Sequence, residues 1–191
     1  MISHPKKFIF VHITKTGGTS IDIALRKYTK NAKTHQSISE MKEEAAKNFG
    51  FNNYFKFCFV RNPWDKMVSQ YFYIKKKIAY DKSFKEFIID FKSTPNDWDF
   101  KSKNFPVKYQ PVQKKWICGD KGEVLMDFVG RFENLQEDFD TICDKIDLPK
   151  RELPHRNSTN HNHYSEYYNK ETREIISQKF SEDIEYFGYK F

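Results

Sequence analysis

Two short apolar runs, Lys6 to Ile13 and Tyr54 to Val60, are rich in aromatic and β-branched residues, and each gives way within a few residues to a helical pattern. After the first come Gly17 and Gly18, then Ile21, Ala24, Leu25 and Tyr28 at helical spacing between Thr19 and Lys30. After the second, Asn62 stands where an N-cap is wanted and Pro63 at the first helical position. A strand that feeds directly into a helix cannot fold back as a hairpin, so two such units in succession imply parallel strands joined by crossover helices. The expected class is α/β, a layered fold with a mostly parallel central sheet flanked by helices. Ligands of such sheets bind beyond the carboxyl ends of the strands, where both loops lie.

Further along, Ser37 and Glu40 form a capping-box pair that opens a short helix to about Asn48. Phe84, Phe87, Ile88 and Phe91 fall on one helical face and predict core packing. Val124 to Phe132 reads as another strand, and Asn134 as the cap of a helix carrying Leu135, Phe139, Ile142 and Ile146. A last helix is expected from about Asn169 to Phe187. No repeat or Pro/Gly/Ser linker interrupts the 191 residues, so a single domain over 1–191 is expected, with the polar stretch 92–113 as one long excursion.

Composition excludes several classes. Leu, Ile, Val and Phe make up 47 of the 191 residues, enough to collapse into a core. The longest uncharged apolar stretches fall far short of the roughly 20 residues that span a bilayer, and no membrane span is expected. Met1 to Lys7 lacks the pattern of a signal peptide, which suggests a cytoplasmic protein. Cys58, Cys118 and Cys143 are too few and too scattered for a disulfide framework or a zinc site, and are expected to act as small buried hydrophobes. The net charge of +7 rests on 27 lysines and only six arginines, a diffuse positive field that predicts anionic ligands.

The first loop, Thr14-Lys15-Thr16-Gly17-Gly18-Thr19-Ser20, joins strand to helix. Its glycines let the backbone curl so that successive N–H groups face one anion, the helix contributes its positive end, and Lys15 and the Thr19 and Ser20 hydroxyls can add donors. It is not the usual nucleotide loop, because Lys15 precedes the glycines and the lysine-serine/threonine pair that serves Mg²⁺ is missing. The second loop starts at Arg61, and Ser69 lies two turns into the helix that follows. The two could clamp one phosphate.

Together the two loops resemble the sulfotransferases that use 3′-phosphoadenosine 5′-phosphosulfate (PAPS), and the resemblance implies a P-loop-like three-layer fold with a mostly parallel central sheet flanked by helices. "FVHITKTGGTS" is similar to their 5′-phosphosulfate loop, and "FCFVRNPWDKMVSQYF" to the 3′-phosphate motif of the carbohydrate branch that includes heparan sulfate 2-O-sulfotransferases. "DFVGRFENLQEDFDTICDKIDLP" and "LPHRNSTNHNHYSEYYNKETREIISQKFSEDIEYFGYKF" resemble small bacterial members of that branch; residues 75–113 carry no likeness. Thr14 departs from the family, which has proline there, but no donor is lost. The resemblance implies that Lys15, Thr16, Gly17, Gly18, Thr19 and Ser20 bind the 5′-phosphosulfate, and that Arg61 and Ser69 bind the 3′-phosphate. It puts Phe132 near adenine, with a strand-end core position as the alternative, and Arg156 and Ser158 in a segment that closes over the nucleotide, with a polar surface loop as the alternative. Trp64 is expected to pack rather than to touch the nucleotide.

Transfer of a sulfuryl group to a hydroxyl needs a proton acceptor, most often histidine near neutral pH, and no metal. Of the six histidines, His4 is terminal and His12 reads as a core residue beside Phe8 and Phe10. His35 stands where the resembling branch tends to carry a histidine near the acceptor, and it is the expected general base, with Lys15 as the catalytic cation. His155, His161, His163 and Glu40 are the alternatives. Lys75, Lys76, Lys77, Lys82, Lys85, Lys101, Lys103, Lys108, Lys114 and Lys115 make the middle basic: a solvated face is the ordinary outcome, a groove for an anionic glycan the functional one. The expected acceptor is a hydroxyl, most naturally a carbohydrate's. The rival functions are a P-loop-like ATP-dependent kinase, disfavoured by the position of Lys15, and a basic nucleic-acid-binding module, disfavoured by aromatics at core spacing and by scarce arginine.

Overall fold

The computed structural model describes residues 1–29, 35–78, 80–93, 112–154 and 161–191. By compactness the chain divides into two units, Met1–Arg61 with Lys114–Ser158 and Asn62–Gln113 with Thr159–Phe191.

The first unit holds a four-stranded sheet in the order β1(Ile2–Ser3), β2(Phe8–Val11), β3(Phe55–Val60), β4(Phe128–Arg131). β2, β3 and β4 are parallel, with Phe10 opposite Phe57 and Phe59 opposite Gly130, while β1 pairs antiparallel to β2. Side chains alternate along a strand, so Phe8, Phe10, Phe57 and Phe59 share one face. There they form one core with Ile21, Ala24 and Leu25 of α1(Gly18–Leu25) and Phe139, Ile142 and Cys143 of α6(Leu135–Lys145). Ile9, Val11 and Cys58, on the opposite face, are also fully buried, as parallel strands require. Gly130 is forced by the Phe59 ring, which would stand 2.6 Å from a Cβ there. The sheet's last strand is tied by Asp138 of α6, whose carboxylate accepts from the Arg131 N–H at 2.6 Å.

α2(Ile38–Ala46) begins with the expected capping box: the Ser37 side chain accepts from Glu40 N–H, and Glu40 accepts from the Ser37 N–H at 2.6 Å. α5(Lys114–Ile117) is a single turn that buries Trp116 and Ile117.

The second unit is helical: α3(Pro63–Ile78), α4(Phe84–Ser93), α7(Lys170–Lys179) and α8(Ser181–Phe187). Asn62 Oδ1 accepts from Trp64 N–H at 3.0 Å, as an N-cap should. The predicted stripe Phe84, Phe87, Ile88, Phe91 is buried, and Phe91 stacks on Phe180 at 5.8 Å. Trp64 is buried too, its indole N–H donating to the Arg173 carbonyl.

The architecture is thus α/β, with a mostly parallel sheet flanked by helices. Several elements differ from the sequence expectations, the two-residue β1 among them, which the sequence does not predict at all. The strand placed at 124–132 shortens to four residues, Val124 making only an isolated bridge to Cys118. Asn134 makes no side-chain cap, a 3₁₀ turn leading into α6 instead. The last helix breaks at Phe180, which serves as C-cap of α7 and N-cap of α8. Among the described residues no helix is long and apolar enough to cross a membrane.

Candidate active site

The site is built on the carboxyl ends of β2 and β3 in the first unit. The loop after β2 curls through two left-handed residues, Lys15 at φ 64° and Gly17 at φ 80°. A lysine seldom adopts this conformation, and it persists where the surroundings enforce it. Gly17 is required twice over, by its φ and by the Leu135 side chain, which would lie 2.8 Å from a Cβ. Gly18, the first residue of α1, is pressed against the His12 ring so tightly that a Cβ would overlap it. The first N–H groups of a helix have no acceptor within it, and α1 carries no acidic residue in its first turn. The loop therefore presents a positive helix end and a curl of backbone donors, a cradle for an anion.

The side chains divide their work. Thr16 is fully buried, and its hydroxyl donates to the Ile13 carbonyl at 2.9 Å. Ser20 donates to the Pro154 carbonyl at 2.6 Å. Both hydroxyls thus hold the loop in shape, while Thr19 is exposed. Thr14 Oγ1 is buried without a hydrogen-bond partner.

Arg61, at the end of β3, donates from Nη1 to the Lys15 carbonyl at 3.2 Å, and its guanidinium carbon lies 3.9 Å above the centre of the Phe132 ring. Phe132 therefore neither packs as a simple core residue nor stands apart: it carries the arginine. Lys15 is pushed down to about 8, first by burial and then by the Arg61 charge. Two cations held together this way favour an anionic occupant.

His35 is exposed and also left-handed, at φ 63°. Its Nδ1 pairs with the His12 carbonyl at 3.2 Å, which assigns the proton to Nδ1 and the lone pair to Nε2. Burial of its inner side lowers its pKa, opposed by that bond. His12 is buried, 8% exposed, and burial holds it down at about 3, with His35 and the Met1 amino group acting in the same direction.

Lys15, Thr16, Gly17, Gly18, Thr19, Ser20, His35, Arg61 and Phe132 all fall in the first unit; Ser69 is buried on α3 of the second. Arg156 and Ser158 lie outside the described residues, as do His155, Lys101, Lys103 and Lys108. Of the alternative bases, Glu40 is engaged in the cap of α2. His161 stacks on Phe72 at 5.3 Å, His163 pairs with Ser165 at 2.8 Å, and His4 pairs with the Tyr54 hydroxyl at 2.7 Å. In the basic middle, Lys82 is paired with Asp90 and Lys85 with Glu171, while Lys75, Lys76 and Lys77 are exposed. Sequence reasoning named Phe132 but not its place under Arg61, and it missed Leu135 against Gly17 and Pro154 on Ser20. None of these contacts leaves a sequence signal, since each joins segments distant along the chain.

A model of the sulfotransferase family matches residues 1–190. An uncharacterized protein of Archaeoglobus fulgidus is 38% identical over 104 residues, which covers 52% of this chain and 73% of that one. No solved structure matches the chain with significance.

Proposed function

Since the chain belongs to the sulfotransferase family, we propose that its sulfuryl donor is PAPS, leaving adenosine 3′,5′-bisphosphate, and that its acceptor is a carbohydrate hydroxyl. The observation that carries this reading is the pairing of Lys15 with Arg61 at a curled loop that opens a helix. The residues fit a phosphosulfate: cations and backbone donors converge there, and the buried, orphaned Thr14 hydroxyl would gain an acceptor.

The donor supplies a sulfuryl group whose bond to the bridging phosphate oxygen breaks as a bond to the acceptor oxygen forms. Negative charge grows on the departing bisphosphate, and Lys15 with the loop N–H groups stabilises it by fixed electrostatics, which cost no reorganisation. Arg61, braced on Phe132, is the proposed ligand of the 3′-phosphate. His35 Nε2 takes the acceptor's proton, general-base catalysis worth about 10²- to 10⁴-fold. Ser69, Arg156, Ser158 and a Phe132 contact to adenine are carried as proposals on the sequence resemblance. The exposed lysines at the end of α3 suit an anionic glycan.

The test is thermal unfolding with adenosine 3′,5′-bisphosphate beside Mg·ATP and 5′-AMP. At a hundredfold excess over Kd the bisphosphate should add about 2.7 kcal/mol, and the shift should vanish in Arg61→Ala and Lys15→Ala. A shift with Mg·ATP alone would overturn the assignment of the donor. Transfer of ³⁵S from labelled PAPS to desulfated heparan chains, against simple phenols, then tests the acceptor class. His35→Ala should keep the bisphosphate shift and lose turnover by about 10²-fold or more.

A further inference from the structure

Three parts of the first unit meet at His12. Its ring edge lies on Gly18 at the start of α1, close enough to exclude a Cβ. One face stacks on Phe10 at 5.6 Å, and the His35 ring stands 4.5 Å away, tilted by 46°. Its carbonyl holds the His35 Nδ1. We propose that His12 is a positioning residue, a flat spacer that sets the separation of the anion loop and His35 and whose carbonyl fixes the His35 tautomer. This rests on the reading of His35 as general base.

Two further observations support it. His12 Nδ1 is buried without a hydrogen-bond partner, a cost that an apolar side chain would avoid. The imidazole is therefore not there for the stability of the core, and a six-membered ring in the same place would have to push Gly18 aside. His35 keeps a left-handed backbone, unusual for a residue with a side chain, at the point where its ring meets His12.

The electrostatics agree. Held at about 3, His12 stays neutral across the physiological range and adds no charge beside the loop or beside His35. Among the described residues, the titratable groups that act on His12 are His35 and the Met1 amino group. Among the described residues, the His35 ring is flanked by His12 and, from α5, by the uncharged Trp116 ring at 6.5 Å.

The experiment is a ¹⁵N NMR titration of the ring nitrogens in the full chain, with neither donor nor acceptor present, together with calorimetric affinity for adenosine 3′,5′-bisphosphate. In the native protein His35 should carry its proton on Nδ1 and titrate below an ordinary histidine. In His12→Ala its midpoint should rise by about half a unit or more as water reaches the ring, with bisphosphate affinity changed less than about threefold. Sulfuryl transfer should fall about 10- to 100-fold, the scale of a misplaced catalytic group. If His12→Ala does not fold, His12→Asn carries the same expectation, because it keeps a planar group on Gly18 yet is too short to cover His35. An unmoved midpoint in the folded variant overturns the proposal, as does equal loss of bisphosphate affinity and turnover. Failure of the general-base reading is separate: it would show as near-normal turnover in His35→Ala, whatever His12→Ala does to the titration.

Discussion

Lys15 carries the sharpest pH signature in the molecule. With no anion bound, it loses its proton near pH 8, against 10.5 for an ordinary lysine. A bound anion raises that value, so binding takes up a proton above pH 8. Affinity for adenosine 3′,5′-bisphosphate should then fall by up to about tenfold per pH unit from 8 upward and be flat below, as far as this group decides. Stability of the free protein has the opposite sign: between pH 8 and 10.5 the unfolded chain binds more protons at this residue, so its contribution rises with pH. Calorimetric titrations at pH 7, 8 and 9 check the first statement. Gly18→Ala would ordinarily favour a helix, but its Cβ overlaps the His12 ring. We expect about 1–3 kcal/mol of destabilisation, the cost of overpacking, read as a lower urea midpoint. Thr14→Val removes the orphaned hydroxyl; it should leave stability unchanged or higher while weakening bisphosphate binding several-fold, a split that affinity and melting temperature measured side by side would reveal.

At the scale of elements, the Ser37–Glu40 box ties down the start of α2. Ser37→Ala should cost about 1 kcal/mol, a few degrees in melting temperature for a chain of this size. That box, the buried stripe of α4 and both strand-to-helix junctions were legible because each is a local pattern: a cap, a period of 3.6, a glycine pair, a proline at N1. β1 escaped, since two residues of strand have no period to detect. The break at Phe180 escaped as well, because its ring is held by stacking on Phe91, a tertiary contact that overrides a continuous helical pattern. The candidate site divides the same way. Lys15 to Ser20 and Arg61 stood out as a loop and a strand end, whereas Phe132 beneath Arg61 and His12 between Gly18 and His35 are visible only once distant segments meet.

At the scale of the whole molecule, the anion loop, Arg61 and His35 all belong to the unit that contains the sheet. Its strands β2 and β3 are buried along nearly their whole length. Native-state hydrogen exchange should find the slowest amides of that unit at 8–11 and 57–60, and bisphosphate should slow exchange over 15–20. Unchanged exchange in that loop at saturating bisphosphate would place the ligand elsewhere. The sheet's own ends have a further consequence. Its outer strands are two and four residues long, and the Arg131 amide left over from pairing is already taken by the Asp138 carboxylate. Unpaired strand edges are what a neighbouring chain zips onto when proteins aggregate. A sheet closed off in this way offers little foothold for that growth, and helps to keep crowded molecules apart.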